Sequence, residues 1–529
     1  MKSPRSLRHV AIRGLLVAVS FFPLQDVLAL DYYVSPTGTA TWAECTEITT
    51  PCNGKTAVSN AMAGDVVYFR EGIYDPVTDP LQDWVDTPNQ FKYEKLPWNP
   101  QHSGTAENPI VFKAYEGETP VFLDNIWSGA FGVINQEWII FDGFTGTIVD
   151  DQDQVISLVV FLNAANIVIR NSDLMGVKKA THHNSALIRL DYSDNILIEN
   201  NKIHDLNSYA ETDPEFVELA VNASGILNFY SKNLIIRNND IYNNHYGIWD
   251  KDTEQNNQYY NNHIWGGDTA STYCASGIQI NNQIDEYGAS QNARAYQNII
   301  RDCAVGIYAY NGVAINNNIK IYNNTIVNQT ANGNVGIFVS ESSLGTSVYN
   351  NIVFGYALQL RYYTPLNERV SLSDYNLFYN DTTASWNIDY VTTYSSLSEW
   401  TVATSLDANS IVADPLFTNA TGNQTVDFKL STNSPAKGSG MANANIGAYL
   451  SEELVIGMNT ASTDSATELT DTLQNNLTTE TETTVPSKCS LSLVGIGLLL
   501  FGVVVSRYRR LDLEVTVLNH PGNIYERHK

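Results

Sequence analysis

The chain has 529 residues, 43% of them hydrophobic, enough for a large core or an extended repeat array and too many for a disordered polymer. Lys and Arg number 30 against 56 Asp and Glu, a net charge of −26. That balance argues against a nucleic-acid partner, whose binders present a basic face, and suits a soluble surface outside the cell.

Lys2, Arg5, Arg8 and Arg13 precede an apolar run from Gly14 to Leu24 and then Val27-Leu28-Ala29. The pattern predicts an export signal over residues 1–29, cleaved after Ala29; the run is short for a membrane span. The next stretch predicts an N-terminal cap over about residues 30–65: a strand at Asp31–Val34, a polar loop with Cys45 and Cys52, and a short helix in Ala57–Ala63. An array of strands then begins at Gly64–Phe69 and reaches Gly72-Ile73-Tyr74. Residues 76–105 form a long polar insertion with Trp84, Tyr93 and Trp98, of the kind that carries function, and strand character resumes at Asn108–Tyr115.

From about residue 137 to about residue 380 the chain repeats one unit, clearest in Asn233–Glu254: short strand, Asn turn, short strand, Asn turn, short strand. Apolar residues alternate with period two, not 3.6, so the segments are strands. Each unit is too small to bury its own face, which forces the units to stack. Asn at equivalent turns can form a hydrogen-bonded ladder up such a stack. The prediction is an all-β solenoid of parallel strands, three per coil, with loops of variable length.

These repeats, with the opening YYVSPTG, then AGDVVYFREGIY and GTAENPIVFKAYEGETPVF, and the closing DANSIVADPLF, SPAKGSG and IGAY, resemble the right-handed parallel β-helix superfamily. That is the architecture of pectate lyases and many secreted carbohydrate-active enzymes. The resemblance covers roughly residues 31–450 and implies a right-handed parallel β-helix domain over 30–450 acting as a monomer on a polysaccharide. It does not separate lyase, hydrolase and adhesin, all of which use this scaffold.

Five cysteines are present. Cys45 and Cys52 could close a small loop. Cys274 and Cys303 each stand three residues before a Gly-Ile pair, which would place them on consecutive rungs about 4.8 Å apart, within disulfide reach. Two bridges would agree with export, and a pair of buried thiols is the alternative for Cys274 and Cys303. Cys489 is left over.

Residues 451–488, rich in Ser, Thr, Asn and Glu, read as a flexible linker. Residues 489–510 contain the apolar run Leu491–Val505 followed by Arg507, Arg509 and Arg510, with a short tail at 511–529. The pattern predicts a membrane contact with a cytoplasmic tail and resembles bacterial C-terminal sorting signals. Together with the export signal it predicts a secreted protein held at the surface of a bacterium.

In the superfamily's strand order the Gly-Ile strands form the first sheet of each coil, the face that carries the groove in its lyases. Ile188, Ile226, Ile248, Ile278, Ile307, Ile337 and Leu358 then point inward. The outward third position reads Arg189, Leu227, Trp249, Gln279, Tyr308, Phe338, Gln359, and the fifth reads Asp191, Phe229, Lys251, Asn281, Tyr310, Ser340, Arg361. Trp249, Tyr308, Tyr310, Phe338, Gln279, Asn281 and Arg361 are the candidate sugar contacts, because ring faces stack on sugar C–H faces while amides and cations meet hydroxyls and carboxylates. The alternative is that loops cover these rings as core.

Lys251 is the candidate base for β-elimination of a uronate polysaccharide, with Arg189 neutralising the sugar carboxylate and stabilising the enolate-like intermediate. Lys251 resembles the lysine of some β-helix alginate and dermatan sulfate lyases, although their next rung carries an arginine where this chain has Asn281. A salt bridge of Lys251 to Asp250 or Asp252 is the plainer alternative. His183, with His182 and His245, precedes these strands as a further acid–base candidate. Asp191 and Asp252, near Asp250 and Glu254, are of the type that holds Ca²⁺ in pectate lyases. Asp191 with Asp250 or Asp252 could instead form a glycosidase pair, and a non-catalytic glycan-binding adhesin is the third possibility.

Overall fold

The computed structural model describes residues 30–76, 96–124, 129–149, 157–177, 184–207, 223–252, 256–266, 274–282, 292–311, 316–330, 333–341, 343–380 and 384–449. Within them each repeat contributes one strand to each of three sheets, and equivalent strands of successive repeats pair in parallel. The result is a right-handed parallel β-helix, the hand that parallel crossovers adopt. Sheet 1 holds the Gly-Ile strands, among them Ala186–Asp191, Ser224–Phe229, Tyr246–Asp252, Cys274–Asn282, Cys303–Asn311, Val335–Val339 and Leu358–Tyr362. Sheet 2 follows it in each coil (Asp194–Glu199, Ile235–Arg237) and sheet 3 closes the coil (Lys202–His204, Asp240–Tyr242).

The paired asparagines explain the turn from sheet 2 to sheet 3. The first of each pair takes a left-handed backbone (φ 56° at Asn200, 57° at Asn238, 53° at Asn261), which Asn tolerates better than most residues. The second is buried. Asn201, Asn239, Asn262, Asn298, Asn324 and Asn351 each donate from Nδ2, at 3.0–3.1 Å, to the Oδ1 of the corresponding Asn one coil on. Their Nδ2 groups also reach a backbone carbonyl of the preceding coil, so the buried amides are satisfied. The ladder ends where Asn376 donates to Asp407 at 3.1 Å, beside the helix Leu397–Thr404, whose Trp400 is fully buried in the core. At the other end the helix Gly54–Asn60 is capped by Asn53, whose Oδ1 accepts from the Thr56 N–H.

The glycine of each Gly-Ile pair is required by close approach. A Cβ on Gly247, Gly277 or Gly306 would stand 2.4 Å from Cγ2 of Ile264, Ile300 or Ile326 in sheet 3. The isoleucines that follow, Ile226 through Ile337, pair rung to rung and fill the core. The coil of Leu358–Tyr362 departs from the predicted register by two residues. Leu360, not Leu358, pairs with Ile337, and Arg361 pairs with Phe338 in the third row. Two residues go into the preceding turn, where Tyr356 is buried with its hydroxyl donating to Cys303 O at 2.8 Å.

Cys274 and Cys303 are register partners with Cα atoms 4.5 Å apart and form a disulfide. Cys45 and Cys52 are buried but unbridged, contrary to expectation. The two thiols lie within hydrogen-bonding reach of each other, and each also points to a backbone carbonyl, Cys45 to Trp42 O at 3.3 Å and Cys52 to Tyr33 O at 3.7 Å. The predicted export signal, linker, apolar segment and tail lie outside the described residues, as does Cys489. Among the described residues no helix is long and apolar enough to cross a membrane.

Candidate functional site on the outer face of sheet 1

The Gly-Ile register brings Arg189, Leu227, Trp249, Gln279, Tyr308, Phe338 and Arg361 into one row, paired strand to strand. The predicted open trough is not what this row forms. Arg189 is only 2% exposed, Trp249 4%, Gln279 7% and Phe338 4%. Trp249 packs with Ala186, Leu227, Phe229, Tyr230 and Tyr246 in a small apolar cluster outside the main core, so these rings are largely covered, as the alternative reading had it. Lys251, Tyr308, Tyr310 and Arg361 are half-buried and keep access to solvent.

Lys251 and Arg189, two rungs apart, share two neighbours, Phe229 and Asn184. Lys251 Nζ lies 5.0 Å from the Phe229 ring centroid and 5.2 Å from that of Trp249, and the Arg189 guanidinium lies 4.8 Å from the Phe229 ring. Both also converge on Asn184: Lys251 Nζ donates to its Oδ1 at 3.0 Å, and Arg189 Nη1 to its backbone carbonyl at 3.3 Å. Asn184 itself has φ 64°, a left-handed turn leading into the strand. A shift of register between Asn228 and Phe229 pairs Phe229 with Asp252 instead of Lys251. That bulge re-aims the end of the strand that carries Lys251.

Several predicted roles fail on this geometry. Arg189 cannot act as a neutraliser of substrate carboxylate, because it is buried and its Nε and Nη2 reach both oxygens of Asp191 (2.8 and 3.3 Å). The same pairing makes Asp191 a poor Ca²⁺ ligand, since a cation there would face the guanidinium. Asp191 is also fully buried, which removes it as a glycosidase carboxylate. Asp250 points into the coil, where Asn228 and Asn257 donate to it at 2.7 and 2.9 Å and the Tyr259 hydroxyl also binds it. Asn281 is fully buried with its amide packed against the carbonyls of Asp250 and Lys251 rather than facing a sugar, an arrangement that is satisfied when the amide nitrogen faces them. No cluster of three or more His, Cys, Asp or Glu able to hold a metal occurs among the described residues. His182, His183, Glu254 and the side chain of Asp252 lie outside the described residues. His245 is described, and burial pushes its imidazole pKa down to about 4.

Two to four rungs from Lys251 a second group forms. Tyr308 stacks on Phe338 (centroids 4.4 Å, 11°), Phe338 on Tyr363 (6.0 Å, 17°), and Tyr390 meets Phe338 edge-on at 5.8 Å. The Arg361 guanidinium carbon lies over Tyr390, 3.7 Å from its ring centroid. Tyr363 and Tyr390 were not among the sequence candidates. They sit outside the Gly-Ile pattern, Tyr390 at the tip of an antiparallel hairpin between Ser385–Ile388 and Thr392–Tyr394.

A family model described as a right handed beta helix region matches residues 157–353. No curated protein matches. Among solved structures the chain is similar to a pectate lyase, at TM-score 0.49 and 16% identity over 80% of this chain and 96% of that one. It is also similar to a mannuronic acid specific polysaccharide family 6 lyase from human gut microbiota (0.41, 12%, 68% and 76%). A third is a lacto-N-biosidase from Eubacterium ramulus (0.38, 13%, 73% and 67%). At these identities the likenesses assign no chemistry.

Proposed function

We propose that the protein is an exported, carbohydrate-active enzyme that cleaves an acidic, uronate-containing polysaccharide by β-elimination, with Lys251 as the base. The observation that carries this reading is the placement of Lys251: half-buried on the outer face of sheet 1, over two aromatic rings, and held by Asn184 Oδ1 at 3.0 Å. A chain of contacts from Asp191 through Arg189 to Asn184 fixes that acceptor. Arg189 is therefore a positioning residue.

In the reaction Lys251, after giving up its own proton to solvent, takes the proton from the sugar carbon next to the carboxylate. The electron pair left behind forms the ring C=C bond as the glycosidic C–O bond breaks. The departing oxygen takes a proton from water or an acid, giving an unsaturated uronate and a new chain end. Elimination needs no pair of carboxylates, which suits a site where Asp191 and Asp250 are both buried and engaged. Hydrolysis by those two residues is set aside for the same reason.

The test is a screen of uronate polymers with the full chain. New ultraviolet absorbance from unsaturated product supports elimination, and its loss in Lys251→Ala assigns the base. New reducing ends without that absorbance would replace the reading with hydrolysis, and neither signal would leave a glycan-binding solenoid.

A further inference from the structure

We infer that Arg361, with Tyr390, Tyr363 and Phe338, forms a separate subsite that takes one carboxylate-bearing sugar unit of the polysaccharide. The inference rests on the reading of sheet 1 as the polysaccharide track, but it concerns binding rather than bond cleavage.

The site is built around Asn387, which is 4% exposed. Its Oδ1 accepts from Arg361 Nε at 3.3 Å and from the Tyr390 N–H at 2.9 Å, and its Nδ2 donates to Thr393 Oγ1 at 2.9 Å. One buried amide thus ties the arginine to the hairpin tip. At that tip Asp389 and Tyr390 both take left-handed backbone (φ 56° and 58°), and the Val391 N–H closes the turn on Ile388 O. Bulky residues rarely adopt this conformation, and the surrounding contacts hold it here. Tyr390 is 58% exposed, yet the Arg361 guanidinium stands 3.7 Å from its ring centroid and 5.4 Å from that of Phe338.

The charge is the decisive feature. Carboxylates outnumber basic side chains 56 to 30 in this chain, yet among the described residues none forms an ion pair with Arg361. Asp389 accepts instead from the Thr364 N–H and hydroxyl at 2.8 and 2.7 Å. Glu341 is exposed and acts on Tyr363. Apart from Nε, the guanidinium's N–H groups have no acceptor among the described residues, and the aromatic walls exclude part of its water. A planar fork of N–H donors in that state fits a carboxylate through two parallel hydrogen bonds. Tyr390 and Tyr363 alongside offer ring surface to the sugar's C–H groups.

Rung pairing runs from Trp249 through Gln279, Tyr308 and Phe338 to Arg361. At one strand spacing per rung, the subsite stands about 19 Å along the sheet from the level of Trp249 and Lys251. It would therefore act on long chains through affinity and leave the bond-breaking step alone.

The test uses the full chain carrying Lys251→Ala, so that oligomers survive, and measures binding of hexameric galacturonate and mannuronate by calorimetry. Fully methyl-esterified hexagalacturonate serves as the uncharged control. Adding Arg361→Gln is expected to weaken binding of at least one uronate about tenfold or more and to leave the ester unchanged. Tyr390→Ala, at an exposed tip where folding is not at stake, is expected to weaken both. Uronate binding unchanged by Arg361→Gln, or no uronate binding at all, overturns the subsite. Arg361-dependent binding in a protein that releases no unsaturated product would sustain the subsite and defeat the lyase reading. Elimination with an unchanged KM in the Arg361→Gln single variant would do the reverse.

Discussion

Lys251 Nζ donates to Asn184 Oδ1 at 3.0 Å, a contact between residues 67 positions apart in the chain. Asn184 has φ 64°, so replacing it by glycine removes the amide without straining the turn and leaves its backbone carbonyl to Arg189. Asn184→Gly is expected to lower kcat on a uronate polymer about tenfold with KM and melting temperature nearly unchanged, because it frees the amine without removing it. Lys251→Ala should lower kcat to background. A parallel loss of stability and activity in Asn184→Gly would make that residue merely structural.

The solenoid was legible because its signals are local and repeat. Ile248, Ile278 and Ile307 each follow a glycine, and Asn238-Asn239 and Asn261-Asn262 mark the same turn on successive coils. The site was less legible. Arg189 and Asp191 lie two apart on one strand face, a spacing that allows the ion pair now seen, but nothing in the spacing says that both are buried. Asn184 and Tyr390 hold their positions through left-handed turns outside the repeat, where no periodicity points to them. The two-residue offset at Arg361 depends on Tyr356 filling a core slot, a packing choice invisible in a pattern of alternation. The outside of sheet 2 carries another row that no Gly-Ile pattern marks. Arg170 pairs with Asp142 and Arg237 with Glu199, and Tyr260, Tyr296, Tyr322 and Tyr349 then stack at 4.7–5.1 Å.

Gly277 measures how tightly sheet 1 sits on sheet 3. A Cβ there would lie 2.4 Å from Ile300 Cγ2 and 2.8 Å from Gly306 O. Gly277→Ala is expected to destabilise the fold by about 1–3 kcal/mol through overpacking. Ile300→Leu removes the offending methyl at nearly constant volume, so the double variant should recover part of that loss. Chemical denaturation of the four proteins gives the coupling, expected at about 0.5 kcal/mol or more. Additive effects would place the strain in the backbone contact instead.

Two histidines should give the folding stability opposite slopes on either side of neutral pH. Protonated His204 donates from both ring nitrogens, to Asp173 Oδ1 at 2.9 Å and Asp205 Oδ2 at 2.8 Å, and stacks on Tyr242. Burial alone would lower its pKa, but the two carboxylates outweigh it and raise the group to about 9. Its contribution is then complete below the unfolded value of about 6.5 and is lost as pH rises through about 9. His245 is the reverse case: burial lowers it to about 4, so its contribution is complete above about 6.5 and is lost as pH falls through about 4. The denaturation midpoint should therefore be highest near pH 6.5 so far as these two groups set it. His204→Gln is expected to flatten the alkaline side and His245→Gln the acid side, each by on the order of 1–3 kcal/mol. An alkaline slope that survives His204→Gln would mean that the two carboxylates do not hold the imidazolium as described.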